Sequence, residues 1–192
     1  MPNPKILVIP GSTRTGSHNV KLAALAAKEL TLIDADVTRI SLVDFPLPLY
    51  DADLDVRNQP ANAVKLKQMF MAHHGVFIAS PEYNASVTPL LKNALDWVSR
   101  VRERGDPLYA AFRNRVFAIG AASPERTGGL RSLMALRQIL ELGCGALVIP
   151  EQVAIAQADQ AFDDMDNIVD MRNANLLRTE QARLVEMARL IA

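Results

Sequence analysis

Five short apolar runs, each followed by a segment of helical periodicity, constrain this chain more than any other feature. The runs are KILVI (5–9), DVTRISL (36–42), GVFIAS (75–80), RVFAIGA (115–121) and GALVIP (145–150). Each is too short for a helix, and each is rich in branched side chains, so each reads as a strand. Between them, Leu22, Leu25, Ala26 and Leu30 share one face of a helix over 17–30. Leu66 and Phe70, four apart, mark a second helix over 61–73. Thr88 can cap a third helix, with Pro89 at its first position and Val87, Leu90, Leu91, Ala94, Leu95 and Val98 as its stripe. GGLRSLMALRQILEL forms a fourth, stopped by Gly143, and Leu177, Leu184, Ala188 and Ile191 give a terminal helix. FPLPLYDADLD, rich in proline and then in acid, reads as a loop. Strand–helix alternation forces crossover connections, hence a parallel sheet covered on both faces.

A five-stranded α/β chain with its most polar loop after the first strand suits the flavodoxin-like order 2-1-3-4-5, with a ligand at the switch point. The 192 residues, 49% of them apolar, contain no repeat, linker or composition break, and residues 1–192 read as one domain. Lys plus Arg and Asp plus Glu stand at 21 each, which argues against a general nucleic-acid binder and against an acidic electron carrier. Cys144 is the single cysteine, so neither an intrachain disulfide nor a cysteine-rich metal site can form. No apolar run approaches the ~20 residues of a membrane span, and ILVIP is too short for a secretory core. A soluble, cytoplasmic protein is the expectation.

Ligands of such sheets bind beyond the carboxyl ends of the strands, and three loops there are unusual. GSTRTGSHN (11–19) has a Walker-like glycine spacing, but Ser17 stands where the lysine that meets a triphosphate belongs. The dinucleotide glycine pattern is also absent. What remains is hydroxyls, amides, backbone N–H groups, a helix N-terminus and the charge of Arg14, an inventory suited to one phosphate monoester. The plainer alternative is a capped turn. SPEYNAS (80–86) offers a carboxylate, a ring and an amide at Glu82, Tyr83 and Asn84 behind the stiff Pro81, a place for a flat ring or an ordinary turn. AASPERTGGL (121–130) brings Ser123 and a double glycine that would let a ligand approach the backbone. Together the three describe a site for a phosphate joined to a flat ring.

GSTRTGSHN with PEYNASVTPLLKNALDWVSR resembles the NADPH-dependent FMN reductase family, which includes quinone, chromate and azo-dye reductases. The resemblance spans roughly residues 4 to 151. The family's Gly-Ser-x-Arg-x-x-Ser-x-Asn loop falls on Gly11, Ser12, Arg14, Ser17 and Asn19. Its Pro-Glu-Tyr-Asn motif falls on Pro81 to Asn84, and the helix motif after it on Lys92, Asn93, Asp96 and Trp97. The resemblance implies bound FMN, its phosphate held by Ser12, Arg14, Ser17 and Asn19, its ring bordered by Pro81, Glu82, Tyr83 and Asn84 with Ser123 near. It implies NADPH or NADH as co-substrate, a ping-pong cycle to a small-molecule electron acceptor, and a homodimer or homotetramer. No side chain is needed as an obligatory acid or base. RVRERGD (100–106) is longer and more charged than the family pattern, and the tail after residue 151 matches no motif. Arg100, Arg102, Arg104, Arg113 and Arg115 form a basic run that could meet the 2′-phosphate of NADPH or simply face water.

Other polar residues are given bland roles. His18 is expected to face solvent, and His73 and His74 to end a helix. Asp51, Asp53 and Asp55 read as a solvated acidic loop, Trp97 as packing or interface, and Cys144 as a small buried residue. Nothing forms a metal-ligand set. Two rival functions remain: an FMN-binding electron carrier without NAD(P)H activity, and a phosphate-binding nucleotide switch.

Overall fold

The computed structural model describes residues 3–103 and 105–191. Strands β1 (Lys5–Pro10), β2 (Asp36–Arg39), β3 (Gly75–Ala79), β4 (Val116–Ala122) and β5 (Leu147–Ile155) form one parallel sheet in the order β2-β1-β3-β4-β5. The flavodoxin-like order expected from the loop chemistry is the one observed. Helices α1 (His18–Leu32), α2 (Ala52–Arg57), α3 (Ala61–Met71), α4 (Pro89–Arg100), α5 (Leu130–Gln138) and α6 (Met171–Arg189) complete the chain.

Alternation along the strands builds two apolar layers, one on each face. Ile6, Val8 and Phe77 pack with Leu22, Ala26 and Leu30 of α1 and with Leu177 and Leu184 of α6. Leu7, Ile9, Ile78 and Ile119 pack with Leu66 and Phe70 of α3, Leu91 and Leu95 of α4, and Leu133 and Leu136 of α5. The central strand β3 is buried along its whole length. α4 starts as its sequence requires: Thr88 Oγ1 accepts from Leu91 N–H at 3.2 Å, and Pro89 fills the first turn.

Several boundaries differ from the sequence reading. β2 stops at Arg39, because Ser41 caps a short 3-10 turn, Leu42–Asp44. FPLPLYDADLD is not all loop: Asp51 accepts from the N–H groups of Asp53 and Leu54 and starts α2. Pro150 does not end β5. It lies at an irregularity in the β4–β5 ladder, where the step from Phe117 to Ile119 is matched by the step from Val148 to Gln152. An edge strand tolerates a proline there because one rung is already missing. α5 passes into a π turn, Ile139–Gly143.

Lys67 is fully buried and pairs with Asp106 and, at 3.4 Å, with Glu103, anchoring the charged 100–106 stretch over α3. This lysine holds the Asp106 carboxyl below its usual range. Cys144 is buried, and desolvation pushes its thiol up to about 11, consistent with an inert residue.

Candidate functional site

The loop after β1 is shaped by its own backbone. Gly11 N–H donates to Ala79 O at 2.8 Å, and a Cβ at Gly11 would press on Leu91, Ala79 O and Pro81 at 3.1–3.3 Å. Glycine therefore suits the point where the β1 and β3 loops touch, where a Cβ would be tightly crowded. Thr88 Oγ1 donates to Gly11 O at 2.8 Å and so joins α4 to the same point. The loop closes through Ser17 N–H to Arg14 O, and α1 begins.

Ser17 occupies the N-cap position, yet its hydroxyl accepts no hydrogen bond from its own helix. Among the described residues, no protein acceptor takes the N–H groups of Thr13, Thr15, Gly16, His18 and Asn19. The Arg14 guanidinium is exposed and forms no ion pair there. Buried Ser12 turns its hydroxyl to Arg14 N–H at 3.3 Å. A concentration of free N–H donors, a free hydroxyl and a cation at a helix N-terminus has the chemistry that suits an anion.

Asn19 plays a different part. Its Nδ2 donates to Ala122 O at 2.8 Å and its Oδ1 accepts from Ala122 N–H at 3.0 Å, so both amide atoms are engaged by the end of β4. This pair locks α1 to the β4 loop. Glu82 makes a similar joint between the β3 and β4 loops. It accepts from Arg131 N–H at 3.2 Å and from Arg131 Nε at 2.5 Å. α5 has only Gly129 at its N-cap position, so Glu82 supplies from another loop the cap that α5 lacks.

Tyr83 and Ser86 exchange backbone hydrogen bonds at 2.9 and 3.0 Å around Asn84 and Ala85, whose φ values are 48° and 62°. Two consecutive positive φ angles make this a tight primed turn, which suits asparagine and strains alanine. It lifts the Tyr83 ring onto the rim, 51% exposed. Ser123 is buried, its N–H bonded to Ile155 O and its hydroxyl to Glu125 N–H. The double glycine has another cause than ligand access. A Cβ at Gly128 would meet the backbone of Ala154 and Ala156 at 2.8 Å, and one at Gly129 would meet Ala121 at 2.7 Å.

A cavity of about 270 Å³ collects Ser12, Arg14, Ser17, Asn19, Pro81, Glu82, Tyr83 and Ser123. Gly11 lies beneath it and Asn84 in the adjoining turn, neither on its lining. A larger hollow of about 680 Å³ sits at the opposite, amino end of the sheet beside Arg113, Arg115, Gly145 and Leu147, and contains none of the candidate FMN-binding residues.

The sequence reading missed several partners. His18 does not simply face solvent: its Nε2 lies 3.0 Å from Asp159 Oδ1 and its ring stacks parallel to Phe162 at 6.1 Å. Two members of the basic run are committed elsewhere. Arg115 is buried and donates to the carbonyls of Phe70, Ala110, Arg113 and Met71. Arg100 pairs with Asp55 at 3.1 Å, so Asp55 is no solvated loop residue. Arg104 lies outside the described residues. Trp97 is fully buried and donates to Pro48 O at 2.8 Å, a packing role. Among the described residues no group of histidine, cysteine and carboxylates could hold a metal.

The family model for NADPH-dependent FMN reductase matches residues 4–160. The chain belongs to that family. An NAD(P)H-dependent FMN reductase of Pseudomonas aeruginosa is 33% identical over 178 residues, 92% of this chain and 90% of the relative. An NADPH:quinone oxidoreductase of Arabidopsis thaliana is 34% identical, with 86% and 82% covered. A quinone reductase of Escherichia coli is 36% identical, with 71% and 69% covered. Among solved structures, the NAD(P)H:(acceptor) oxidoreductase FerB of Paracoccus denitrificans superposes with TM-score 0.77 at 24% identity, covering 97% of this chain and 98% of its own. This FMN reductase family member is thus an oxidoreductase by descent, with the fold of the family. No helix among its described residues is long and apolar enough to cross a membrane.

Proposed function

We propose that the protein holds FMN at the cavity between the β1, β3 and β4 loops and uses it to pass electrons from NAD(P)H to a small acceptor of the quinone class. The observation that carries this is the set of unengaged donors at Ser17, Arg14 and the N–H groups of 13–19, which fits one phosphate monoester. When bound, the flavin supplies hydride acceptance and donation.

The chain's own residues then bind and orient. Arg14 supplies the fixed charge at the phosphate, and Ser12 and Ser17 stand as hydroxyl ligands. Asn19 acts through Ala122, keeping α1 and the β4 loop in register. Glu82 acts through Arg131, fixing the height of the β3 loop against α5. Pro81 and Tyr83 border the ring, with Asn84 setting the turn that presents Tyr83 and Ser123 closing the far side. With Tyr83 on an exposed rim, NAD(P)H and then the acceptor would reach a bound flavin from the solvent side in alternation, and no side chain is assigned as acid or base.

A dimer or tetramer is part of this proposal. Leu49 and Val56, 82% and 86% exposed, sit on the segment packed near α4, where a second copy could cover them. Light scattering of the purified protein tests it, and a monomer at micromolar concentration overturns it. The functional test is the visible spectrum under anaerobic conditions. A yellow protein that bleaches on adding NADPH and recovers with a quinone supports the proposal. A yellow protein unmoved by NADPH is an electron carrier, and a colourless one that hydrolyses ATP or GTP is a nucleotide switch.

A further inference from the structure

A second cavity lies on the other side of the β1 loop. It measures about 360 Å³, and its lining includes Thr13, Arg14, Thr15, Arg39, Ser41 and Asp44. We propose that it receives the 2′-phosphate of NADPH, with Arg39 as the residue that favours NADPH over NADH. This rests on the function proposed above.

Arg39 is the last residue of β2, so it stands at the carboxyl end of the sheet, where ligands bind. Its side chain is exposed and has no ion pair or hydrogen bond among the described residues. Arg14 also lines this cavity, but its charge is assigned above to the FMN phosphate, so Arg39 is the cation left for a second phosphate, whose oxygens accept from a planar, forked guanidinium as a ribose hydroxyl does not. The Thr13 and Thr15 hydroxyls have no partner among the described residues. Asp44 is the one acid on the lining, and it forms no ion pair with Arg39.

Three arginines of the 100–115 stretch are committed or placed elsewhere. Arg100 is paired with Asp55, Arg115 is held by four backbone carbonyls, and Arg113 lies at the amino end of the sheet. Ser12 and Arg14 line both cavities, so the two hollows meet at the phosphate loop. A dinucleotide can therefore lie across that loop, its nicotinamide over the FMN cavity and its adenosine end beyond it. NADH would leave Arg39 solvated rather than buried and unpaired, so discrimination is modest, on the order of tenfold.

The test uses flavin-loaded protein with its FMN content measured for every variant. Arg39→Ala should lower the ratio of kcat/KM for NADPH to that for NADH about tenfold, and Arg39→Lys should restore part of it. Calorimetric titration with adenosine 2′,5′-bisphosphate and with AMP gives a readout independent of turnover. The wild-type protein should bind the bisphosphate more tightly, and Arg39→Ala should remove the difference. An unchanged ratio, or equal binding of the two nucleotides by the wild type, overturns the assignment of Arg39 while leaving the reductase reading intact. A protein that distinguishes the nucleotides through Arg39 yet never retains FMN keeps this site and overturns the reductase reading.

Discussion

The loop at 11–19 and the stretch at 100–115 are both polar, both carry arginine, and both follow a buried element. They differ in what their donors meet. In 100–115, Arg115 hands its guanidinium to four carbonyls, Arg100 meets Asp55, and Asp106 and Glu103 meet Lys67. In 11–19, the Ser17 hydroxyl, the Arg14 guanidinium and a run of N–H groups meet no protein partner. Charge alone does not mark a site. Donors oriented by the fold and left without an internal acceptor do, because burying them unmet would cost free energy that only water or a ligand offsets.

Substitution should separate the two regions. The largest effect is expected from Arg115→Ala, which strands four carbonyls around a buried gap. It should cost about 3–4 kcal/mol of stability in denaturant unfolding, while the folded fraction retains FMN normally. Loss of FMN without loss of stability would break the contrast. Arg14→Ala should do the reverse. Its FMN affinity should fall about tenfold to a hundredfold, by fluorescence titration of released flavin, with the unfolding midpoint unmoved and turnover of the loaded fraction little changed. Equal FMN affinity in variant and wild type would remove Arg14 from the phosphate site.

A third, smaller effect concerns Glu180 of α6, fully buried beside Gln181 and near Glu151 and Arg137. Desolvation, aided by the Glu151 charge and opposed by an Ile119 backbone hydrogen bond, Gln181 and Arg137, raises its carboxyl well above the usual value. The folded state therefore holds a proton that the unfolded state releases above about pH 4.3. Its contribution to stability is fully present below that pH and is lost as pH rises through the folded-state value. The slope in that window is at most ~1.4 kcal/mol per pH unit. Glu180→Gln should flatten the pH profile of unfolding, and an unaltered profile would show that the group is charged in the fold. The smallest effect is at the rim: Ala85→Gly should relieve the positive φ and gain up to about 1 kcal/mol, read as a rise in melting temperature.

Much of this arrangement is legible in the chain itself. The strands and the three loops follow from apolar runs and polar punctuation, since both are local signals, whereas the strand order comes by analogy with folds that carry a polar loop after the first strand. Thr88 and Pro89 announce the start of α4 outright. What is not legible is the partner of each loop residue. Glu82 and Arg131 are 49 residues apart, Asn19 and Ala122 are 103 apart, and His18 and Asp159 are 141 apart. No periodicity links such pairs; the crossover topology brings them together. Pro150 misleads for the opposite reason: the local rule that proline ends a strand is sound, but the irregular edge of β5 removes its cost. Asp51 is a cap signal hidden among acids, and only the turn that follows shows it.

The Asn19–Ala122 pair has a consequence beyond holding a helix in place. A side-chain amide here imitates a strand's backbone and adds one rung to the free edge of the last residue pair of β4. The loop proposed to hold the phosphate and the loop that carries Ser123 are thereby pinned as one piece. Exchange of the Ala122 amide proton should accordingly slow when phosphate alone occupies the nest, so one proton at the end of β4 reports the occupancy of a loop more than a hundred residues earlier in the chain.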